Sequence, residues 1–524
     1  MVKVLISDKM SPYAEQCFLN RGIEVDVRTG MTPEELIACI GEYHGLAVRS
    51  ATKVTAEVLD AAENLQVIGR AGIGVDNIDR NAATGKGVVV MNTPFGNAIT
   101  TAEHAISMML ALARLIPQAN ASTHAGKWEK SAFMGTELMA KTLGIIGCGN
   151  IGAIVADRAQ GLKMRVVAYD PFLSPERAQD LGVDKVELDE LFKRADFVSL
   201  HTPLTDATRD IINAAAIAKM KPGVRIVNCA RGGLVVEVDL KVGLDSGHVG
   251  GAALDVFSEE PATDNPLFGM DNVVATPHLG AATTEAQEKV AVQVAEQMAD
   301  YLLTGAISNA INMASVSAEE APKLKPYMAL AEQMGSFAGQ ATQTAYKEIT
   351  IEFAGEVAAL NCKPLTAVAL QGLLAPLLEG VNMVNAPAIA SERDIRVREI
   401  TTDRAEDYHT LITLTVTTEN QTRSISGTLF NDEPRIACIK GIHMDAQLGP
   451  HMLFITNKDK PGIIGALGTT LGEAGVNIAT FNLGRAEPGG DAIALIEIDE
   501  QPSQQLLDKV CGLEHVIMAK AMRF

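Results

Sequence analysis

The stretch Gly144-Ile145-Ile146-Gly147-Cys148-Gly149-Asn150-Ile151-Gly152 decides the fold of the middle of this chain. An apolar, strand-like run leads into Gly-x-Gly-x-x-Gly, and a helical pattern follows. In that setting Gly147 permits a tight turn, Gly149 lets backbone approach a pyrophosphate, and Gly152 lets helix meet strand. The helix N-terminus then offers free N–H groups and a positive dipole end to the phosphates. Asp170, at the end of the next strand, stands where a carboxylate accepts from ribose hydroxyls and repels a 2′-phosphate. The expected cofactor is therefore NAD rather than NADP.

Outward from that motif, strand-like segments at 143–146, 165–169, 197–200, 225–228, 251–255 and 273–275 alternate with helical patterns. This predicts an α/β domain at 97–282 built on a doubly wound parallel sheet of six strands. Upstream, strands expected at 2–6, 23–27, 45–48, 67–68 and 88–90, with helices between them, predict a second parallel-sheet domain over 1–96. Beyond about residue 310 the texture changes, and Ala321-Pro322-Lys323-Leu324-Lys325-Pro326 reads as a linker. Strands near 348–358, 410–417, 423–430 and 435–443 and a helix at 363–378 predict an α+β domain at 315–445. The order βαββαβ over 451–524 predicts a small ferredoxin-like unit.

A chain of 524 residues is too long for one core. Its 64 acidic and 44 basic side chains give a net charge of −20, which would repel a phosphate backbone or an anionic lipid surface, so neither nucleic acid nor membrane is an expected partner. No apolar run reaches 18 residues and no signal peptide is read, which points to a cytoplasmic protein. Seven cysteines (Cys17, Cys39, Cys148, Cys229, Cys362, Cys438, Cys511) are scattered without metal-ligand spacing. No metal is expected, and buried free thiols in a reducing compartment are.

Three further segments fall at the ends of later strands, where open α/β sheets present their ligand crevice: Asn228-Cys229-Ala230-Arg231-Gly232-Gly233, Leu254 to Pro261, and Ala275-Thr276-Pro277-His278-Leu279-Gly280. Oxidation of a 2-hydroxy acid needs what they supply. The Arg231 guanidinium can hold a carboxylate and the C2 oxygen in bidentate geometry. The His278 imidazole can take the hydroxyl proton, and Glu260 against its far nitrogen would fix the tautomer. Each is ordinary when taken singly, and His201, in the same strand-end setting, reads as structural. Arg49 and Arg70 end strands of the first sheet and would point into the crevice, where two guanidinium groups suit a phosphate dianion. Lys130 and Asn97 would add contacts. The bland alternative for the arginines is pairing with local carboxylates.

The strings at 69–77 (Gly-Arg-Ala-Gly-Ile-Gly-Val-Asp-Asn), 91–97 (Met-Asn-Thr-Pro-Phe-Gly-Asn) and 126–130 (Gly-Lys-Trp-Glu-Lys), with the glycine motif and the three strand-end segments, resemble the D-isomer-specific 2-hydroxy acid dehydrogenases. The resemblance spans the chain, including the two C-terminal domains of the family's long members, which act on 3-phosphoglycerate at the start of serine synthesis. It implies Arg231, Glu260 and His278 as catalytic residues, with His278 the acid–base group. NAD contacts are implied at Gly147, Gly149, Asn150, Ile151, Gly152, Asp170, Thr202, Cys229, Ala230, Arg231, Asp255, His278, Leu279, Gly280 and Ala281. It also implies that a helix at 283–305 returns to complete the first domain, and that the chain assembles as a homodimer or homotetramer.

The last domain resembles the amino-acid-binding ACT domain, which makes Asn457, Asp459 and Asn477 effector contacts and L-serine the candidate effector. Asp459 before a helix also reads as a cap. Such domains serve in other proteins only for dimerisation. The chain departs from the family at Val236, where an acidic or amide residue is usual, so the loop after Arg231 is expected to be less tightly tied. Two other readings stand beside this one: a glyoxylate or hydroxypyruvate reductase of the same family, and an NAD-binding corepressor on the same fold.

Overall fold

The computed structural model describes residues 2–94, 96–316, 319–342, 344–404 and 408–524; Phe95 of the string at 91–97 lies outside them. The chain opens with five short strands, β1 (Lys3–Ile6), β2 (Glu24–Val27), β3 (Gly45–Val48), β4 (Val67–Arg70) and β5 (Val89–Met91). They form a parallel sheet in the order β2-β1-β3-β4-β5. Parallel neighbours need crossovers, here α1 (Pro12–Asn20), α2 (Pro33–Cys39), α3 (Ala56–Asp60) and α4 (Arg80–Gly85). Central β3 is buried at all its positions, as a strand covered on both faces must be.

A long helix, α5 (Ala98–Arg114), and the shorter α6 (Ile116–His124) lead to a second sheet. Its elements are β6 (Thr142–Ile146), α7 (Asn150–Gly161), β7 (Arg165–Tyr169), α8 (Pro175–Asp180), β8 (Asp184–Lys185), α9 (Leu188–Arg194), β9 (Phe197–Leu200), α10 (Ala214–Lys219), β10 (Val224–Asn228), α11 (Glu237–Asp245), β11 (Val249–Leu254) and β12 (Val273–Ala275). The order β12-β11-β10-β9-β6-β7-β8 reverses direction between β6 and β9, which places a topological switch point beside the glycine loop. The sheet has seven strands rather than six because two residues of β8 pair with the edge of β7, a segment too short to carry a sequence signal. Among the described residues no single helix is long and apolar enough to cross a membrane. The pair α5 and α6 meets the length and composition needed but is bent by 63°.

The chain then returns to the first sheet through α12 (Thr284–Thr304). The Thr283 hydroxyl caps its start by accepting from the Ala286 N–H at 3.2 Å, and Gly305, at φ +77°, ends it. Its buried stripe of Val290, Ala291, Val294 and Met298 lies on β4. The approach is close enough that a Cβ at Gly69 would fall 2.2 Å from the Met298 sulfur.

The six residues read as a linker instead open α13 (Ala321–Ala341). Pro322 sits in the first turn, where no backbone donor is needed. Pro326 forfeits one bond of the second turn, and burial of Leu324, Leu330, Met334 and Phe337 offsets it. Next come β13 (Tyr346–Gly355), α14 (Lys363–Leu374), α15 (Ala386–Glu392), β14 (Arg396–Thr402), β15 (Thr410–Thr418), β16 (Thr422–Phe430), β17 (Glu433–Ile439) and β18 (Ile442–Ala446), in a mixed sheet ordered β14-β13-β15-β16-β17-β18. The single strand expected at 435–443 is a hairpin: Lys440 and Gly441 both take positive φ, the two-residue turn that matches strand twist.

The last unit is β19 (Met452–Lys458), α16 (Ile463–Glu473), β20 (Ile478–Arg485), β21 (Asp491–Ile498), α17 (Gln504–Cys511) and β22 (Val516–Met522), an antiparallel sheet ordered β20-β21-β19-β22. It is joined to α13 by reciprocal hydrogen bonds between Gln340 and the Arg523 backbone and by a T-shaped contact of Phe337 on Phe454, centroids 5.0 Å apart.

Candidate active site

The glycine loop is built from three different constraints. Gly147 has φ +90°, and its N–H donates to the Tyr169 carbonyl at 2.9 Å; a Cβ there would sit 2.6 Å from the His201 carbonyl. At Gly152 a Cβ would lie 2.1 Å from the Gly147 carbonyl, so helix and turn touch. Gly149 is different, because a Cβ there would meet nothing within 4 Å. It opens α7 with no side-chain cap, leaving the first-turn N–H groups free. They border a cavity of about 470 Å³ lined by Ala98, Ile99, Cys148, Gly149, Asn150 and Arg177 among others. Asn97, at the start of α5, is buried with its Oδ1 unpartnered. An uncapped helix start, open space before Gly149 and an orphaned buried amide fit the pyrophosphate and polar groups of a dinucleotide. Asp170 accepts from the Cys148 and Phe172 N–H groups, both at 2.8 Å, which fixes its carboxylate at the rim of the loop.

The strand ends β9, β10, β11 and β12 bring up the rest. Thr202 follows β9, half-buried. Cys229 is buried, and burial, with Asp255 adding repulsion, pushes its thiol far above the ordinary range, so it is a neutral wall. Ile151 packs partly into the core beneath α7. The Asn228 side chain folds the turn that carries Arg231, accepting from the Ala230 N–H (3.0 Å) and donating to the Arg231 carbonyl (2.8 Å). Arg231 Nε donates to Asp76 Oδ2 at 2.8 Å and Nη1 to the Ala230 carbonyl at 2.7 Å. Val236 does not loosen this loop. The next residue, Glu237, accepts from the Ser258 N–H and hydroxyl and from the Asn265 amide, tying the loop to the segment after β11.

His278 Nδ1 lies 2.7 Å from Glu260 Oε2, and the other Glu260 oxygen accepts from the Phe257 N–H at 3.0 Å. The histidine is about half exposed and takes a left-handed φ of +57°, uncommon for a residue with a Cβ. What imposes that turn is Asp255, which is fully buried. Its carbonyl accepts from the His278 N–H (2.9 Å) and its carboxylate from the Leu279 N–H (2.7 Å), the Gly280 N–H (2.8 Å) and the Thr276 hydroxyl (2.6 Å). His104, on α5, adds its Nε2 at 3.2 Å. Burial pushes the Asp255 carboxyl up, but the bonds from His104, Thr276 and Leu279 outweigh it and hold the group below its ordinary range. Asp255 thus acts as scaffold for the 278–281 segment. His104 Nε2, Cys229 Sγ and Asp255 lie within 4.8 Å of one another, a donor set of the kind that can hold a metal ion, although both Asp255 oxygens are already engaged.

From the first sheet, Arg49 donates its backbone N–H to Asp8 (2.6 Å) and Nη1 to the Lys9 carbonyl (3.1 Å). Arg70 makes no side-chain hydrogen bond or ion pair among the described residues, and its Nε is buried without a partner. Burial lowers it from the ordinary arginine range to about 10, with repulsion from Arg231 and Arg49 acting in the same direction. Arg49 and Arg231 therefore lie close enough to Arg70 for their charges to repel it. Lys130 does not join them: it stands exposed in the turn Lys130–Ala132 with no side-chain bond to any described residue.

The effector candidates do not converge within one chain. Asp459 borders a cavity of about 490 Å³ with Lys460, Gly462, Ile464, Leu483 and Arg485. It accepts from the Gly489 N–H (3.0 Å) and Arg485 (3.2 Å), which hold its carboxyl below the ordinary range. It does not cap α16, whose N-cap is Gly462. Asn457 is buried within β19, its Nδ2 on the Lys458 carbonyl. Asn477 bonds to Asp499 at 2.9 Å, at the far end of β21 from Asp459. At ~3.3 Å per residue the length of that strand puts roughly 25 Å between them. Sequence reasoning also passed over Asp76, His104 and Arg177, none of which carries a local signal of its partner.

Comparison with known proteins places these features in a family. Residues 106–280 match the family model "D-isomer specific 2-hydroxyacid dehydrogenase, NAD binding domain", residues 323–440 match "D-3-phosphoglycerate dehydrogenase intervening domain", and residues 451–515 match the ACT domain. The chain is 44% identical to a D-3-phosphoglycerate dehydrogenase of Synechocystis over 99% of this chain and 95% of that one. It is 42% identical to one of Archaeoglobus fulgidus over 99% of each. Among solved structures, a D-lactate dehydrogenase of Aquifex aeolicus complexed with NAD and lactic acid aligns with 59% of this chain and 98% of its own, at 26% identity and a TM-score of 0.53.

Proposed function

The chain belongs to the D-isomer-specific 2-hydroxyacid dehydrogenases, in the D-3-phosphoglycerate dehydrogenase branch with intervening and ACT domains, and from that membership we propose how its cleft carries out the reaction. The reaction is oxidation of D-3-phosphoglycerate to 3-phosphohydroxypyruvate, the step that opens L-serine synthesis. One observation carries the substrate reading. Three guanidinium groups lie close enough to act on one another, and among the described residues the Arg70 side chain, its Nε buried, has no carboxylate hydrogen-bond partner. Such a cleft is completed by an acid that brings a phosphate as well as a carboxylate.

NAD, when bound, supplies the hydride acceptor. Gly147, Gly149, Asn150 and the start of α7 hold its pyrophosphate, and Asp170 takes the ribose hydroxyls. Arg231 orients the substrate carboxylate and C2 oxygen, while Arg70 and Arg49 hold the phosphate. Glu260 keeps the proton of His278 on Nδ1, so Nε2 presents its lone pair to the C2 hydroxyl and takes that proton as the C–H bond breaks. Residues 1–96 and 283–305 act as the substrate-binding domain, 97–282 as the NAD domain, 315–445 as the intervening domain and 451–524 as the regulatory one. The effector is L-serine, with Asp459 at the amino group. The chain works in the cytoplasm as a homodimer or homotetramer, joined through the exposed Ile116, Trp128, Met134 and Met139 on α6 and the segment after it. The deciding experiment follows NADH formation with D-3-phosphoglycerate and D-glycerate, in the wild type and in His278→Ala. The reading requires turnover of the phosphorylated acid, and in the variant loss of turnover with NADH binding kept. Activity on glycerate alone, or an active variant, would refute it.

A further inference from the structure

Arg231 does not stand free in the cleft, and the residue that holds it comes from the other sheet. Asp76 lies in the connection between β4 and α4, on the first sheet, whereas Arg231 follows β10 of the second; they are 155 residues apart and 2.8 Å from Oδ2 to Nε. Among the described residues no other side-chain hydrogen bond or ion pair links residues 2–94 to residues 140–282. Nε is spent on Asp76 and one Nη1 hydrogen on the Ala230 carbonyl. A guanidinium has five N–H groups, so three remain, all on the two Nη nitrogens that would meet a carboxylate. The same connection supplies the seat beneath the group. A Cβ at Gly74 would lie 1.6 Å from Arg231 Nη2, so the guanidinium rests on bare backbone. Asp76 also acts on Arg70, partly opposing the repulsion from Arg231.

We propose that Asp76 is a positioning residue: it fixes the plane of the Arg231 guanidinium across the cleft, with its Nη edge toward substrate, and supplies the negative charge that lets Arg231 stand beside Arg70 before an anion arrives. This rests on the reading of Arg231 as the carboxylate-binding group. Because the Asp76 side chain is largely exposed, its loss leaves the fold intact. The consequence is a split between parameters. A freely rotating Arg231 misplaces the reacting carbon and lowers kcat, while removing a negative charge from an anion site leaves binding of a phosphorylated acid undiminished or tighter.

The test compares full-length Asp76→Asn, Asp76→Glu, Arg231→Gln and the Asp76→Asn/Arg231→Gln double variant. It measures kcat, melting temperature, and calorimetric binding of D-3-phosphoglycerate to the NADH-loaded protein. Expected are a fall in kcat of roughly 10- to 100-fold in Asp76→Asn, an unchanged melting temperature, a dissociation constant no weaker than wild type, and partial recovery in Asp76→Glu. In the Arg231→Gln background Asp76→Asn should have no further effect on kcat. An unchanged kcat in Asp76→Asn, or an equal further loss in the double variant, would overturn the inference while leaving the Arg231 reading intact. Wild-type kcat in Arg231→Gln would overturn that reading itself and this inference with it.

Discussion

Replacing Arg70 with Met should move affinity and stability in opposite directions. The methionine fills a similar volume without charge, so the test isolates electrostatics from packing. In the protein without substrate, burial and the nearby Arg231 and Arg49 bring the guanidinium down from the ordinary arginine range to about 10. At ~1.4 kcal/mol per pH unit, that is about 3 kcal/mol of unfavourable free energy in the charged form. Solvent at the partly exposed edge reduces it to about 1–2 kcal/mol. The folded-state value of a base is depressed, so this cost is present at every pH below about 10 and is removed by the substitution. Arg70→Met should therefore raise the melting temperature of the unliganded protein, by roughly 2–6 °C.

With substrate the sign reverses. A bidentate guanidinium–phosphate contact contributes two charge-assisted bonds of about 1.5–3 kcal/mol each. Losing them should raise KM for D-3-phosphoglycerate by roughly 10²- to 10⁴-fold and leave KM for D-glycerate nearly unchanged. Steady-state kinetics on the two acids and a thermal melt suffice. An equal loss on both acids would show that Arg70 does not read the phosphate. A lower melting temperature would show that the residue pairs favourably in the unliganded state, and the reasoning from its missing partner would fail.

The glycine loop and the second histidine give two further tests. Gly149→Ala, whose Cβ meets nothing, should fold with wild-type stability yet weaken NADH binding at least about tenfold by filling the space left for phosphate. Gly152→Ala, which would press 2.1 Å from the Gly147 carbonyl, should lose about 1–3 kcal/mol of stability as well; NADH fluorescence titration and a melt separate the two. His201 is half-buried, with Nε2 at 2.8 Å from the Ser199 hydroxyl and Nδ1 buried without a partner among the described residues, and burial lowers it to about 4. The unfolded chain takes up that proton near pH 6.5, so the stability is complete above 6.5 and is lost as pH falls toward 4, by about 2 kcal/mol at pH 5. A His201→Gln variant should melt at a temperature that varies less over this interval, and parallel curves for the two proteins would exclude His201 as the cause.

What was legible in the sequence is what short spacing encodes. The turn at Gly147, the strand ends bearing Arg231, Glu260 and His278, and the βαββαβ order each depend on neighbours within a few residues. The misses have the opposite character. Asp76 and Arg231 meet across 155 positions, and His104 lies amid the apolar residues of α5, so its bond to the buried Asp255 is invisible until the sheet is assembled. Pro322 and Pro326 signalled a break, but burial of the rest of α13 outweighs the one helix bond forgone. Asn457 and Asp459 were expected to share an effector site from the ACT resemblance, whereas the first sits inside β19 and the second beyond its end. Asn477 is set by strand register, which local patterning does not reveal.

The charge of the molecule and the charge of its cleft pull against each other, and distance decides between them. A net charge of −20 repels both a phosphorylated acid and a dinucleotide as they approach. At physiological ionic strength that field fades over about 8 Å, so beyond the cleft mouth it acts on the rate of encounter. Inside, Arg231 is held by Asp76, Arg49 donates through Nη1 to the Lys9 carbonyl, and Arg70 has no carboxylate hydrogen bond among the described residues. The least compensated cation is therefore one whose Nε is buried, where solvent screens it weakly and a phosphate gains most. An acid lacking the phosphate leaves that cation unpaired in the complex, so selectivity arises as much from the free energy left unrecovered by the wrong substrate as from contacts made by the right one.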